Sequence, residues 1–211
     1  MVILDAGAGP PDRAALADYL AAMVAVRVST LVRAEQFAFW VNLYNAVTFD
    51  LVLRHYPVRT ILAIRPHWLA YGPWRMRLIE IEGQPLTLHD IENRILRPIW
   101  PEPRLHYAVN CAALGCPNLL PTAFTAANTE ALLDSAAGAF INHPRGVRSE
   151  RGRLIVSSIY NWFAGDFGGN DAAVLAHLAA HAEPPLAAVL REAQGIAGYA
   201  YDWRLNEAVG A

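Results

Sequence analysis

Cysteine is scarce in this chain, with two residues among 211, too few for a disulfide-built scaffold. Charge is scarce as well: Asp, Glu, Lys and Arg make up 17% against 55% hydrophobic residues, which excludes disorder and points to a globule with a real core. No excess charge of either sign is present. A net charge of −2 gives no basic field to draw in a phosphate backbone, so nucleic acid is not an expected partner. Long apolar runs are missing too; Leu20 to Val26 is cut by Arg27, well short of the roughly 20 residues of a membrane-spanning helix. The N-terminal Met1-Val2-Ile3-Leu4-Asp5 carries no basic leader, and the chain is expected to be cytoplasmic.

What is present divides into helical and extended segments. Leu16, Tyr19, Leu20, Met23 and Val24 recur at helical spacing and predict a helix from Arg13 to about Val32, capped at Asp12. A second helix is predicted from Ala34 to about Arg54, ending before Pro57. Its centre, Phe37 to Val47, is apolar nearly all round and therefore internal. Asn42 and Asn45 share one face of it, where their amides either tie neighbouring backbone or contact a ligand. An irregular connection holding Trp68 and Tyr71 leads to a strand from Trp74 to Glu82, a turn at Gly83-Gln84-Pro85, and a helix opened by the capping-box pattern Thr87 to Asp90 and closed by Pro98. Glu92 sits beside that helix's core face.

Further on, the pattern predicts a helix from Asn128 through Ile141, a hairpin from Val147 to Val156 turning at Glu150-Arg151-Gly152, and a short helix over Ser157 to Phe163. A loop from Asp166 to Asn170 follows, then helices over 171–182 and 184–194 and a last strand over 198–203. Nothing repeats and no Ser-, Gly- or Pro-rich linker divides the chain. The expectation is one α+β domain over residues 1–211, with several helices packed on a small, mainly antiparallel sheet.

The segment from Arg104 to Asn118 concentrates reactive side chains. Leu105, Tyr107 and Val109 alternate against His106, Ala108 and Asn110, which predicts a strand with His106 and Asn110 on one face. Both cysteines follow at once. Cys116, between Gly115 and Pro117, suits a cap position and is the first candidate nucleophile; Cys111, at the strand end, is the second. His106 is the candidate base and needs a partner on its other ring nitrogen, for which Glu92 is preferred over Asn110. Backbone amides at Gly115-Cys116 are candidates for part of an oxyanion hole. Other uses of the sulfurs are packing, a disulfide across the four intervening residues, or a reversible redox pair. A zinc site on His106, Cys111 and Cys116 lacks a fourth ligand and the usual Cys spacing, so no metal or other cofactor is expected.

Five blocks together resemble the family catalogued as domain of unknown function 547: Phe39 to Ala46, Leu86 to Arg97, His106 to Pro117, Trp162 with Asp166-Phe167, and Tyr201 to Asn206. Two positions depart from the commoner pattern, Asn93 where a histidine often follows the glutamate, and Ala112 where glycine often follows the first cysteine. The resemblance implies a papain-like or transglutaminase-like fold with a Cys, His and acid constellation, here one of the two cysteines, His106 and Glu92. The expected function is therefore a cysteine hydrolase or acyltransferase acting on an amide, thioester or small peptide-like substrate through a covalent acyl-enzyme. The alternative is a non-catalytic peptide- or thiol-ligand-binding module, with Asn42, Asn45, Asn110 and Gly115 lining the cleft.

Overall fold

A computed structural model of the protein describes residues 10–207. Helix α1, Pro10–Val24, packs on α2, Arg33–His55. The first helix already contains Asp12, so its cap lies outside the described residues. It also stops short of Val32. Val26, Val28 and Thr30 after Val24 lower helix propensity, and side chains in this stretch take other partners: Ser29 Oγ donates to Glu82 at 2.5 Å and Thr30 Oγ1 to the Arg27 carbonyl at 2.7 Å. Helix α2 is buried along most of its length, with Val41, Leu43 and Val52 fully sealed, as its all-round apolar sequence requires.

The predicted strand before Glu82 shrinks to β1, Ile79–Ile81, paired antiparallel with β2, Gln84–Leu86. The turn between them is Glu82-Gly83, both at positive φ, so Gln84 and Pro85 belong to the second strand rather than the turn. The capping box at Thr87 forms as expected, with Asp90 N–H donating to Thr87 Oγ1 at 3.0 Å and Thr87 N–H to Asp90 Oδ2 at 3.1 Å. The helix it opens, α3, runs over residues 88–99 and passes through Pro98. It can do so because Ile91–Leu96 is a π-turn in which the Arg97 N–H reaches the Glu92 carbonyl, five residues back. The wider turn relieves the clash a proline ring makes with the carbonyl four residues before it.

The strand expected over residues 105–110 is a helical turn, α4, Leu105–Ala108. Pro103 accepts from His106 N–H and Arg104 from Tyr107 N–H, while the Arg104 side chain closes on Glu102, Glu130 and Asp134. All four residues of the turn are buried, so the alternation in the sequence marks no exposed face, and the assignment of His106 and Asn110 to one strand face falls with it.

Helix α5, Thr129–Ile141, leads into the hairpin of β3, Val147–Glu150, and β4, Arg153–Ser157, as expected. The short helix α6, Ile159–Trp162, is followed by the 3-10 turn Ala164–Phe167 and by helices α7, Asp171–His181, and α8, Pro184–Glu192. Strand β5, Gly198–Ala200, then joins β4 in parallel. Among the described residues the architecture is thus mixed helix and strand with two small sheets, and one of the three strand pairings is parallel. One apolar cluster surrounds α2; a second gathers α5, α7 and the hairpin around Tyr107 and Phe140. No described helix is long and apolar enough to cross a membrane.

The segment after β5 positions the site. Gly115 N–H donates to the Asp202 carbonyl and Leu114 N–H to that of Arg204, each at 2.8 Å, and Asn206 N–H returns to Ala112. Residues 201–206 are therefore laid along the cysteine loop. Glycine at 115 makes the approach possible: a Cβ there would stand 2.8 Å from Asp202 N and 3.0 Å from the Tyr201 ring.

Candidate functional site

Residues from these elements surround a cavity of about 840 Å³. Its walls are aromatic, including Tyr44, Tyr71, Trp74, Trp162, Phe163 and Trp203, and His106, Glu92, Cys111, Cys116 and Tyr201 face it. The four expected catalytic residues are thus brought to one cavity. Their pairing differs from the expectation.

His106 donates from Nε2 to Asp166 Oδ2 at 2.7 Å, not to Glu92. A carboxylate can only accept, so the ring proton sits on Nε2 and Nδ1 is the basic nitrogen. The ring stacks on Phe163, centroid to centroid 4.1 Å, and its side chain is 2% exposed. His106 itself lines the cavity. Arg97 grips Asp166 with two bonds, from Nε at 2.5 Å and Nη2 at 2.9 Å. The bond from His106 and then those from Arg97 hold the Asp166 carboxyl far below the ordinary carboxylate range. Asn93 accepts from Arg97 Nη1 at 2.6 Å and so steadies this clamp.

Glu92 instead accepts from the Tyr44 hydroxyl at 3.2 Å. Burial raises its pKa, opposed by the nearby His106. It lines the cavity from the π-turn of α3.

The cysteines were expected as free thiols, and they are bonded to each other as a disulfide with Cα atoms 6.4 Å apart. The loop closes because Ala112 takes a left-handed conformation at φ +59° and Cys116 N–H bonds the Ala113 carbonyl at 3.0 Å. Cys116 is 3% exposed, while Cys111 is half-buried. Cys111 N–H points at Cys116 Sγ, 3.0 Å away. The oxyanion-hole amides expected at Gly115 and Cys116 are both engaged, with Asp202 and Ala113 respectively.

Asn42, Asn45, Asn110 and Gly115 do not line the cavity. Asn42 holds the backbone of Phe124 through both ends of its amide, at 2.8 and 3.0 Å. Asn45 bridges the Ala108 carbonyl and the Asn110 N–H, and Asn110 ties Pro117 to Ala112. Asn45 and Asn110 thus fix α4 and the cysteine loop against α2, and Asn42 fixes the segment at Phe124, the first of the two uses considered for the buried amides.

A protein-family profile described as "Protein of unknown function, DUF547" matches residues 28–141. The chain belongs to the DUF547 family. No curated protein and no solved structure matches it. The DUF547 match contains Glu92, Arg97, His106 and both cysteines; Asp166, Phe163, Tyr201 and Trp203 lie beyond it. Arg97, Asp166 and Tyr201 are site residues that sequence reasoning left without a role. All three stand in blocks that carry the resemblance, which was the available signal.

Proposed function

We propose that the chain is a cysteine hydrolase or acyltransferase which, with Cys111 and Cys116 reduced, acts on an amide, thioester or small peptide-like substrate through a covalent acyl-enzyme. The observation that carries this reading is the His106–Asp166 pair, 2.7 Å apart, on the cavity that both cysteines also line. An imidazole oriented by a carboxylate is what a thiol needs to ionise near neutral pH. An external dithiol supplies the two electrons and two protons that open the disulfide. A cytoplasmic location goes with this reading, since a reducing compartment keeps such a pair open.

Cys111, the less buried sulfur, gives its proton to His106 Nδ1 and attacks the carbonyl carbon. A C–S bond forms while the carbonyl π pair moves to oxygen. Collapse expels the amine or thiol, which takes the proton from the imidazolium. Water, or a second nucleophile in acyl transfer, is deprotonated by the same nitrogen and releases the acyl group. The aromatic walls suit an apolar or planar acyl group.

Mass spectrometry of the reduced protein after exposure to small amide and thioester probes tests the reading. An acyl adduct on the Cys111 peptide is expected, absent from Cys111→Ala and from the oxidised protein. A reduced protein that takes no adduct, and whose thiols alkylate only with an ordinary pKa of about 8.5, refutes it. The second reading, a non-catalytic peptide- or thiol-ligand-binding module, is favoured by the disulfide and the burial of Cys116. It requires probe binding that survives oxidation and both Cys→Ala substitutions.

A further inference from the structure

Tyr201 touches the atoms that would react. Its hydroxyl lies 3.1 Å from Cys111 Sγ and 3.0 Å from Cys116 Sγ. The position is held from several sides. The ring packs against Trp162 and Trp203 at centroid distances of 4.8 and 4.6 Å. The carbonyl of Ala200, the residue before it, accepts from Ser158 N–H at 2.9 Å and that of Asp202, the residue after it, from Gly115 N–H at 2.8 Å. The bare Cα of Gly115 lies against its ring. The peptide donors nearest the sulfurs are engaged, those of Gly115 and Cys116 with carbonyls and that of Cys111 with the partner sulfur. The groups that act electrostatically on the hydroxyl are Glu92, Arg145 and Tyr71. Burial, with Glu92 adding and Arg145 opposing, keeps it protonated far above the ordinary tyrosine range. It is therefore a neutral donor aimed at sulfur.

Resting on the acyl-transfer reading above, we infer that Tyr201 is a catalytic residue that donates its hydrogen bond first to the attacking thiolate and then to the carbonyl oxygen as that oxygen becomes negative. No proton leaves Tyr201. As the sulfur's electron pair enters the C–S bond, the sulfur loses its charge and the oxygen gains it, and the O–H follows the charge from one to the other. In the reduced pair, one hydroxyl can donate to one sulfur while accepting from the S–H of the other, so the arrangement holds one thiolate and one thiol.

The test reads thiolate absorbance against pH in the reduced wild type and in Tyr201→Phe, a change that removes the donor and keeps the ring. Loss of the bond is expected to raise the lower thiol pKa by about one unit and to slow iodoacetamide alkylation at neutral pH about tenfold, with the circular dichroism spectrum unchanged. Should Tyr201→Phe fail to fold, a ring-fluorinated tyrosine at 201, similar in shape and a stronger donor, is expected to lower the thiol pKa. A low-pKa thiol in the wild type that persists unchanged in the variant overturns the assignment to Tyr201 and leaves the acyl-transfer reading standing. A wild type with no thiol below the ordinary value overturns both.

Discussion

Replacing Asp166 with asparagine separates the proposed imidazole clamp from a merely structural ion pair. The carboxylate receives three charge-assisted hydrogen bonds, at 2.7 Å from His106 and at 2.5 and 2.9 Å from Arg97. An amide of the same shape offers one acceptor and one donor end. His106 Nε2–H and Arg97 Nε–H share Oδ2, while Arg97 Nη2–H meets Oδ1, so whichever way the amide is turned its NH₂ meets an N–H of Arg97. With the amide oxygen at the Oδ2 place the ring keeps an acceptor but loses the negative charge behind it, so an imidazolium formed in the reaction is no longer stabilised and the ring is the poorer base. The expected result is a loss of up to about 10⁴-fold in acylation, the upper size that the same carboxylate-to-amide change brings in a Ser-His-Asp site. The accompanying loss of stability is expected to be small, about 1–3 kcal/mol, because Arg97 and Asp166 are each 28% exposed and water screens the broken pair. The pH dependence has a fixed sign. With its folded pKa depressed from the ordinary 3.8, Asp166 contributes stability that is complete above that value and lost as the solution becomes strongly acid. The stability gap between wild type and variant should therefore be flat from neutral to mildly acid solution and close below it. Acylation or iodoacetamide labelling of the reduced variant, read beside urea denaturation, measures both quantities. An Asp166→Asn protein that acylates at the wild-type rate refutes the assignment of His106 as the base.

His177 gives a second pH-dependent expectation. Its Nε2 meets the Tyr107 hydroxyl at 2.8 Å, and burial, followed by the neighbouring His181, pushes its pKa down to about 4. Stability is then full above the unfolded value of 6.5 and falls as acid charges the unfolded state first, by about 2 kcal/mol at pH 5 and about 3 kcal/mol at pH 4. Urea midpoints across this range should show the loss in the wild type and less of it in His177→Gln; parallel curves for the two proteins would contradict it. At the β3–β4 turn, Arg151 is exposed at φ +52° ahead of Gly152 at φ +76°, a conformation that suits asparagine better. Arg151→Asn should raise stability by about 0.5–1 kcal/mol in thermal or urea unfolding, and a decrease would show that the arginine side chain contributes more than its backbone strain removes.

The elements that could be read from the sequence are those whose signal is local. Helix α2 announces itself through an unbroken apolar stretch, the start of α3 through Thr87 and Asp90, and the hairpin after α5 through alternation around Gly152. Residues 105–108 could not be read this way. Alternation identifies a strand only when one face meets water, and Leu105, His106, Tyr107 and Ala108 are all buried. Nor does spacing reveal a π-turn, which is why the helix over 88–99 runs through Pro98.

The candidate site was legible to the same extent and for the same reason. His106, Cys111 and Cys116 are close in sequence, and their convergence on a cavity with Glu92 follows from short connections. The partner of His106 is 60 residues away and is held by Arg97, which ends one of the blocks that carry the resemblance but was given no role. Given a buried imidazole and two acids, local reasoning chose Glu92, whereas the choice was decided by which carboxylate has a guanidinium behind it to keep it ionised. Glu92, buried beside a tyrosine hydroxyl, has its ionised form disfavoured, and is the poorer partner for a ring that must be held in one tautomer. The return of residues 201–206 along the cysteine loop is likewise a tertiary event, and it delivers the only side-chain hydroxyl among the described residues that bonds both sulfurs. A fragment limited to the family-matching residues 28–141 would therefore carry both sulfurs and the imidazole, but neither the carboxylate that orients the ring nor the hydroxyl that meets the sulfur. On this geometry the proposed chemistry draws on the segments after residue 141 as much as on the cysteine loop itself.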